Sequence, residues 1–203
     1  KLFYFGGVTS TTAYDTLYIY DTVAGTWSTG TQGTTANGGP GPRYGHHAGI
    51  MQAGPYAGQM GILAGVTTYS TGLANDTKPY FYNPTSNTWS NPAAYTFPTN
   101  WTMSNRSSVQ VYHPFSCTVG QFICLWGGNI PGSANTVEAW VFDTINGYAY
   151  NFATGFSGYG TRNMAVFAGV AFGGSGANGY YMNLKGGVVA NAITAMALPT
   201  YGA

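Results

Sequence analysis

The stretch from Leu17 to Thr29, LYIYDTVAGTWST, reads as a strand, a turn and a returning strand. Aromatic and β-branched residues suit an extended, half-buried chain. The Asp21 side chain can then bond its own backbone to start a reversal, and Gly25 tolerates the positive φ that completes it. The same block recurs three more times, as Tyr82-Asn83 with Asn87, Phe142-Asp143 with Gly147 and Met182-Asn183 with Gly187. Repeats spaced by roughly 40 to 60 residues and made of strand-type residues point to propeller blades rather than to a helical solenoid.

Working outward from each block, two residues past the Gly or Asn stand Trp27, Trp89, Ala149 and Val189. In the third copy Tyr148 and Tyr150 flank the alanine and are read as supplying the missing bulk. Ahead of each block a hairpin ends in a small-residue pair: Phe5-Gly6-Gly7, Leu63-Ala64-Gly65, Trp126-Gly127-Gly128 and Phe172-Gly173-Gly174. Such pairs permit close backbone approach at a crowded centre. Farther upstream lie Arg43, Arg106 and Arg162, which are all the arginines of the chain. The repeats run over roughly 1–30, 43–92, 106–155 and 162–198, with no charged or Pro/Ser-rich linker between them, so 1–203 reads as one domain or a fragment of one.

With these pieces in order, the chain resembles the kelch-repeat family of β-propellers, galactose-oxidase-like propellers included. The carrying residues are the Gly-Gly after an apolar strand, Tyr-Asp or Tyr-Asn before a turn, Trp27 and Trp89 six residues after Asp21 and Asn83, and the Arg opening a repeat. Arg43-Tyr44-Gly45-His46 is nearest to the family pattern. Ala64, Ala149 and Val189 depart from it, and the fourth copy is the most degenerate. The resemblance implies an all-β fold of three and a half to four blades of four-stranded antiparallel sheet, belonging to a larger propeller. Leu2 to Phe5 matches the second strand of a blade and lacks the strand and Arg expected before it, so the chain is read as part of a longer polypeptide. The rival is a closed four-bladed ring in which Ala192 to Leu198 returns to complete the first blade.

Composition bounds the partners. Only 5% of residues are charged and the formal net charge is +1, which leaves no electrostatic footprint for nucleic acid or anionic membrane. No apolar run reaches the 18 or more residues of a membrane helix. A neutral surface rich in hydroxyls and amides fits an extracellular wall, sheath or filament, and favours association. Across a two-residue turn at Gly120-Gln121, Cys117 would face Cys124, and the expectation is a cross-strand disulfide in an oxidising compartment. The sequons at Asn75, Asn100 and Asn105 agree with secretion and are glycosylation candidates.

Chemistry-bearing residues are scarce. Arg43, Arg106, Arg162, Asp21 and Asp143 belong to the repeat, which leaves Asp15, Asp76 and Glu138 as carboxylates in different repeats, too dispersed for an acid–base pair. His46 and His47 are neighbours on a strand and point to opposite faces, against a shared metal. There is no nucleophile elbow and no phosphate loop. The copper-radical oxidases resemble this fold, but their ligand set cannot be carried over here by motif. The expectation is therefore a protein that is not an enzyme and needs no cofactor or metal. It is read as a secreted binding or scaffold module whose partners are other protein subunits, copies of itself among them, met through loops such as Ser28 to Pro42 and Ser90 to Asn105. The alternative is a carbohydrate-binding propeller that takes glycans on loop residues such as Tyr95 and Trp101.

Overall fold

The structure is a computed structural model that describes residues 1–68, 72–73, 76–96, 114–128, 138–153, 161–167, 170–175, 178–183 and 194–197. Among the described residues it is all-β apart from a 3-10 turn at Thr35–Asn37. The strands are β1 Leu2–Phe5, β2 Leu17–Asp21, β3 Thr26–Thr29, β4 His47–Ile50, β5 Met60–Leu63, β6 Val66–Thr68, β7 Gly72–Leu73, β8 Tyr80–Asn83 and β9 Thr88–Ser90. They continue as β10 Phe115–Val119, β11 Phe122–Trp126, β12 Glu138–Asp143, β13 Tyr148–Ala153, β14 Thr161–Phe167, β15 Val170–Ser175, β16 Asn178–Asn183 and β17 Thr194–Ala197.

The strands form four consecutive antiparallel sheets: β1-β2-β3, β4-β5-β8-β9, β10-β11-β12-β13 and β14-β15-β16-β17, with β6-β7 as a small ribbon. Here they are called sheets 1 to 4. Each falls, to within a residue, inside one of the four sequence repeats. Among the described residues sheet 1 has no strand equivalent to β4, β10 or β14. The returning C-terminal segment does not supply one, because β17 pairs with β16, Tyr181 opposite Thr194 and Asn178 opposite Ala197. The closed ring completed by Ala192 to Leu198 is thereby corrected.

The turns form as their chemistry requires. Asp21 Oδ1 accepts from the Val23 and Ala24 amides at 2.9 and 3.0 Å, Asn83 Oδ1 from Thr85 and Ser86 at 2.9 and 3.3 Å, and Asp143 Oδ1 from Ile145 and Asn146 at 3.0 and 3.2 Å. Four residues on, Gly25, Asn87 and Gly147 take φ of +69°, +54° and +68°. Asn87 spends its side chain between sheets: its Oδ1 accepts from the Thr31 amide and from the Tyr82 hydroxyl, both at 2.7 Å.

Neighbouring sheets pack face to face. Phe3, Phe5, Leu17 and Ile19 of sheet 1 receive Met60, Ile62, Tyr80, Tyr82 and Trp89 of sheet 2. The opposite face of sheet 2, with Met51, Leu63 and Phe81, receives Ile123, Leu125, Trp140, Phe142 and Ala149 of sheet 3. Trp89 seats its ring 5.2 Å from that of Phe5 and donates its indole N–H to the Thr31 carbonyl at 2.7 Å. Where sheet 3 has Ala149 in place of Trp, the missing ring comes from Tyr95, 6.0 Å from Phe142, rather than from Tyr148 and Tyr150, which alternate with Ala149 onto the other face of β13. Tyr95 is held there because the next residue, Thr96, bridges β13, donating to the Gly147 carbonyl and accepting from the Ala149 amide.

Two expectations about small residues and thiols are also corrected. Gly173 and Gly174 do not follow a strand; they lie inside β15, opposite Tyr180 and Gly179, two places off the register of Gly6-Gly7. The hairpin register Cys117 opposite Cys124 is as expected, with Gly120 at φ +57°, yet both cysteines are free thiols. Parity explains this. Val119 and Phe122 close the two-residue turn as a hydrogen-bonded pair, so alternation makes Cys117 and Cys124 hydrogen-bonded as well. Such pairs lie at the wide end of a Cβ range of ~4.5–5.5 Å, whereas a disulfide takes ~3.5–4.5 Å.

Candidate functional site

Three charged side chains among the described residues are buried: Arg43, Asp76 and Asp143. Arg43, 2% exposed, donates Nη1 to Asp76 Oδ2 at 2.7 Å and to the Ala64 carbonyl at 3.0 Å, donates Nη2 to the Pro40 carbonyl, and lies 5.4 Å from the Tyr80 ring centre. Asp76 Oδ2 also accepts from the Ala64 amide at 2.7 Å. Burial pushes the Asp76 carboxyl up, while the charge and hydrogen bonds of Arg43 and the Ala64 amide pull it back. The guanidinium thus fastens the small-residue corner of sheet 2, where Ala64 and Gly65 take φ of +65° and +96°. The equivalent corner of sheet 1 leans on the same residue, since the Gly7 amide donates to the Arg43 carbonyl at 3.0 Å. A Cβ at Gly6, where φ is +70°, would overlap that carbonyl oxygen. This network binds structure to structure, and Asp76 is its unanticipated member.

The two histidines diverge. His46 sets its ring 5.5 Å from that of Phe5 in sheet 1, and His47 shares a hydrogen bond of 3.2 Å with Thr118 in sheet 3. Burial, with Arg43 and His47 nearby, lowers His46 to about 3, and burial lowers His47 to about 4. Both are neutral imidazoles at ordinary pH. Among the described residues no three His, Cys, Asp or Glu side chains converge as metal ligands. Cys124 is buried and its thiol, in hydrogen-bond contact with that of Cys117, is pushed well above the usual value by that contact and by burial.

The outer face of sheet 1 is largely aromatic. Along sheet 1, Leu2 stands opposite Tyr20 and Tyr20 opposite Trp27, while Tyr4 stands opposite Tyr18. These five residues share one face, opposite to the Phe3, Phe5, Leu17 and Ile19 face that packs on sheet 2. Leu2 is 60% exposed, Tyr4 56%, Tyr18 42% and Trp27 62%. Tyr4, Tyr18 and Trp27 line an open groove of about 450 Å³, and a cleft of about 250 Å³ continues from it along Gly6, Gly7, Val8, Thr9, Tyr14 and Thr16. With ~200 Å² per aromatic side chain, the three rings alone leave roughly 300 Å² uncovered, in the range of the largest apolar patch of an ordinary monomer.

Of the residues singled out from sequence, Gly6, Gly7, Asp21, Asn83, Trp89, Arg43, His46 and Asp143 serve the packing and turns just described. Gly127 and Gly128 repeat the corner conformation, at φ +60° and +102°. Trp27 differs from Trp89 in lying on the open face. Arg162 lies in β14 at a register shift between Thr161 and Asn163. Tyr95 is 7% exposed and belongs to the core, which corrects its reading as a sugar-binding loop residue. The loop from Ser28 to Pro42 is likewise engaged with sheet 2 through Thr31, Gly33 and Asn87. Arg106, Trp101, Asn75, Asn100 and Asn105 lie outside the described residues. Sequence reading passed over Leu2, Tyr4, Tyr18 and Tyr20 as a surface. Their alternation, in the same register as Met60, Ile62, Tyr80 and Tyr82, was the signal that could have found it.

Comparison with protein-family models gives no match, and comparison with curated proteins gives none either. No helix among the described residues is long and apolar enough to cross a membrane.

Proposed function

We propose that the chain is a kelch-like β-propeller segment acting as a non-catalytic extracellular scaffold module that assembles with other protein subunits. Propeller geometry is supported by the order of packing, sheet 1 on sheet 2 and sheet 2 on sheet 3, and by the placement of β10 beside both β4 and β14, the first strands of their sheets. The compartment rests on the neutral surface and no longer on the cysteines.

The observation that carries the binding role is the exposed face of Leu2, Tyr4, Tyr18 and Trp27, which gathers four large exposed apolar side chains on one side of one sheet. A second reading is favoured by one feature of the same surface: the Tyr14 and Thr9 hydroxyls, 3.3 Å apart, adjoin the aromatic groove, as a sugar platform would require. Immobilised chain tested against a glycan array and against extracellular protein extract separates the two. Retention of protein, lost with Trp27→Ser, supports the scaffold; saturable sugar binding that competes with it transfers the surface to the second reading.

A further inference from the structure

His46 and His47 stand side by side where the chain enters β4, and alternation sends their rings into different contacts. His46 sets its ring against Phe5 of sheet 1, which in turn meets Trp89. His47, opposite Leu63, faces sheet 3 and shares its hydrogen bond with Thr118 Oγ1 through Nε2. Both seats are close. A Cβ at Gly49 would overlap Thr118 Oγ1 and lie 3.0 Å from His47 Cε1, and a Cβ at Gly65 would lie 2.9 Å from the Cβ of His46. On each ring Nδ1 is buried without a hydrogen-bond partner. A proton taken up by either ring therefore places an imidazolium charge where one N–H finds no acceptor and no anion balances it.

We infer that this dipeptide is an acid-sensitive joint: protonation of His46 loosens sheet 1 from sheet 2, and protonation of His47 loosens sheet 2 from sheet 3. The facing groups fix the direction. Against His46, sheet 1 offers Phe5 and the Gly6 corner, and sheet 2 offers the cation Arg43, whose carboxylate partner Asp76 is spent on Arg43 itself and on the Ala64 amide. Against His47, sheet 3 offers the Thr118 hydroxyl, while Cys117 and Cys124 stand at alternate positions on its other face. Among the described residues no carboxylate acts on either ring, and burial is the main influence on both. The closed contacts hold the imidazoles near 3 and 4, whereas an exposed one titrates near 6.5. An opened contact therefore binds the extra proton between those values, so acid favours opening. From pH 7 to pH 5 the bias is ~20-fold for each ring. The joint works whether or not the outer face of sheet 1 binds a partner.

The test is amide hydrogen exchange of the full chain at pH 7 and pH 5, corrected for the intrinsic rates of exposed amides, which reads the opening equilibrium strand by strand. Protection is expected to fall ~20-fold in β1 and β2 and ~20-fold in β10 and β11. His46→Gln should cancel the first fall alone, and His47→Gln the second alone. A uniform fall of ~400-fold or more in every strand, the product of the two, means that acid unfolds the chain as a whole, and it overturns the inference. So does protection that does not change with pH, or a fall that persists when both rings are replaced. Imidazole NMR of the native chain keeps the test in force if a variant does not fold. Each ring must stay neutral in its closed contact and take up its proton only as the adjoining strands open; a ring protonated while those strands stay protected refutes the joint.

Discussion

Replacing Arg43 by Met tests the architecture at its most buried ionic point. The substitution keeps a long apolar stem but removes the donors to Asp76, Ala64 and Pro40. The Asp76 carboxylate, 5% exposed, keeps only the Ala64 amide among the partners just described. Breaking one side of a buried ion pair costs ~3–5 kcal/mol, and each carbonyl left without its donor adds ~1–3 kcal/mol where water cannot reach it. A loss of at least ~4 kcal/mol is expected, a large part of the ~5–15 kcal/mol of an ordinary domain. Asp76→Asn leaves an acceptor for both Arg43 and Ala64 and should cost about half as much. The pair Arg43→Met with Asp76→Leu removes the stranded charge, so it should be more stable than Arg43→Met alone. Urea denaturation followed by tryptophan fluorescence measures all three. If Arg43→Met costs under ~1 kcal/mol, or if the double substitution is merely additive, the guanidinium is not what fastens the corner between sheets 1 and 2.

Other outcomes follow from the same geometry. His47 is neutral in the fold down to about pH 4, whereas an unfolded imidazole titrates near 6.5, so the unfolded chain binds the extra proton between those values. Stability therefore falls as pH drops from about 6.5 to 4, by up to ~3 kcal/mol from this group, and His47→Asn flattens that slope in denaturation curves taken across the window. Gly6→Ala meets both a positive φ and the Arg43 carbonyl, whereas Gly25→Ala meets only the φ, with nothing near its Cβ. The second should cost ~1–2 kcal/mol and the first at least twice that by thermal melting. A thiol reagent should modify Cys117 in the native chain and reach Cys124 only in denaturant, and a mass unchanged by reductant confirms that no bridge joins them. Tyr95→Ala should cost ~3 kcal/mol in urea through the cavity left beside Phe142, while Trp27→Ala in the single chain costs under ~0.5 kcal/mol.

The parts of this fold that were legible in the sequence are those governed by local chemistry. Asp21, Asn83 and Asp143 bond amides two and three residues away, so an offset of four to Gly or Asn is sufficient to place each turn. Gly120 set the register of Cys117 for the same reason. Parity along that hairpin, which bears on whether two facing thiols stand close enough to bond, was present in the sequence but needed the hydrogen-bonding class of the pair as well as its register. Asp76 was illegible because its partner is 33 residues away and it sits outside any repeated block. Gly173-Gly174 misled because a small pair looks alike whether it ends a strand or lies within one; only counting back from Met182 separates the cases. Tyr95 misled because a residue in a loop is exposed only if nothing nearby has a hole to fill, and the hole was made by Ala149, 54 positions on in the chain.

The exchange between Tyr95 and Ala149 bears on the open surface as well. Sheet 3 is covered, and it manages with an alanine where the repeat elsewhere has an indole, because another segment supplies the ring. Sheet 1 leaves this face exposed and keeps Trp27 on it, its ring 5.0 Å from that of Tyr20 and tilted to it, with Tyr4 and Tyr18 beside it. The turn does not require that aromatic load, since the Asp143 turn forms equally well ahead of Ala149. Nor does the core of sheet 1, which lies on the other face. The proposed binding role accounts for that apolar area, which stands in register with Met60, Ile62, Tyr82 and Trp89 of sheet 2.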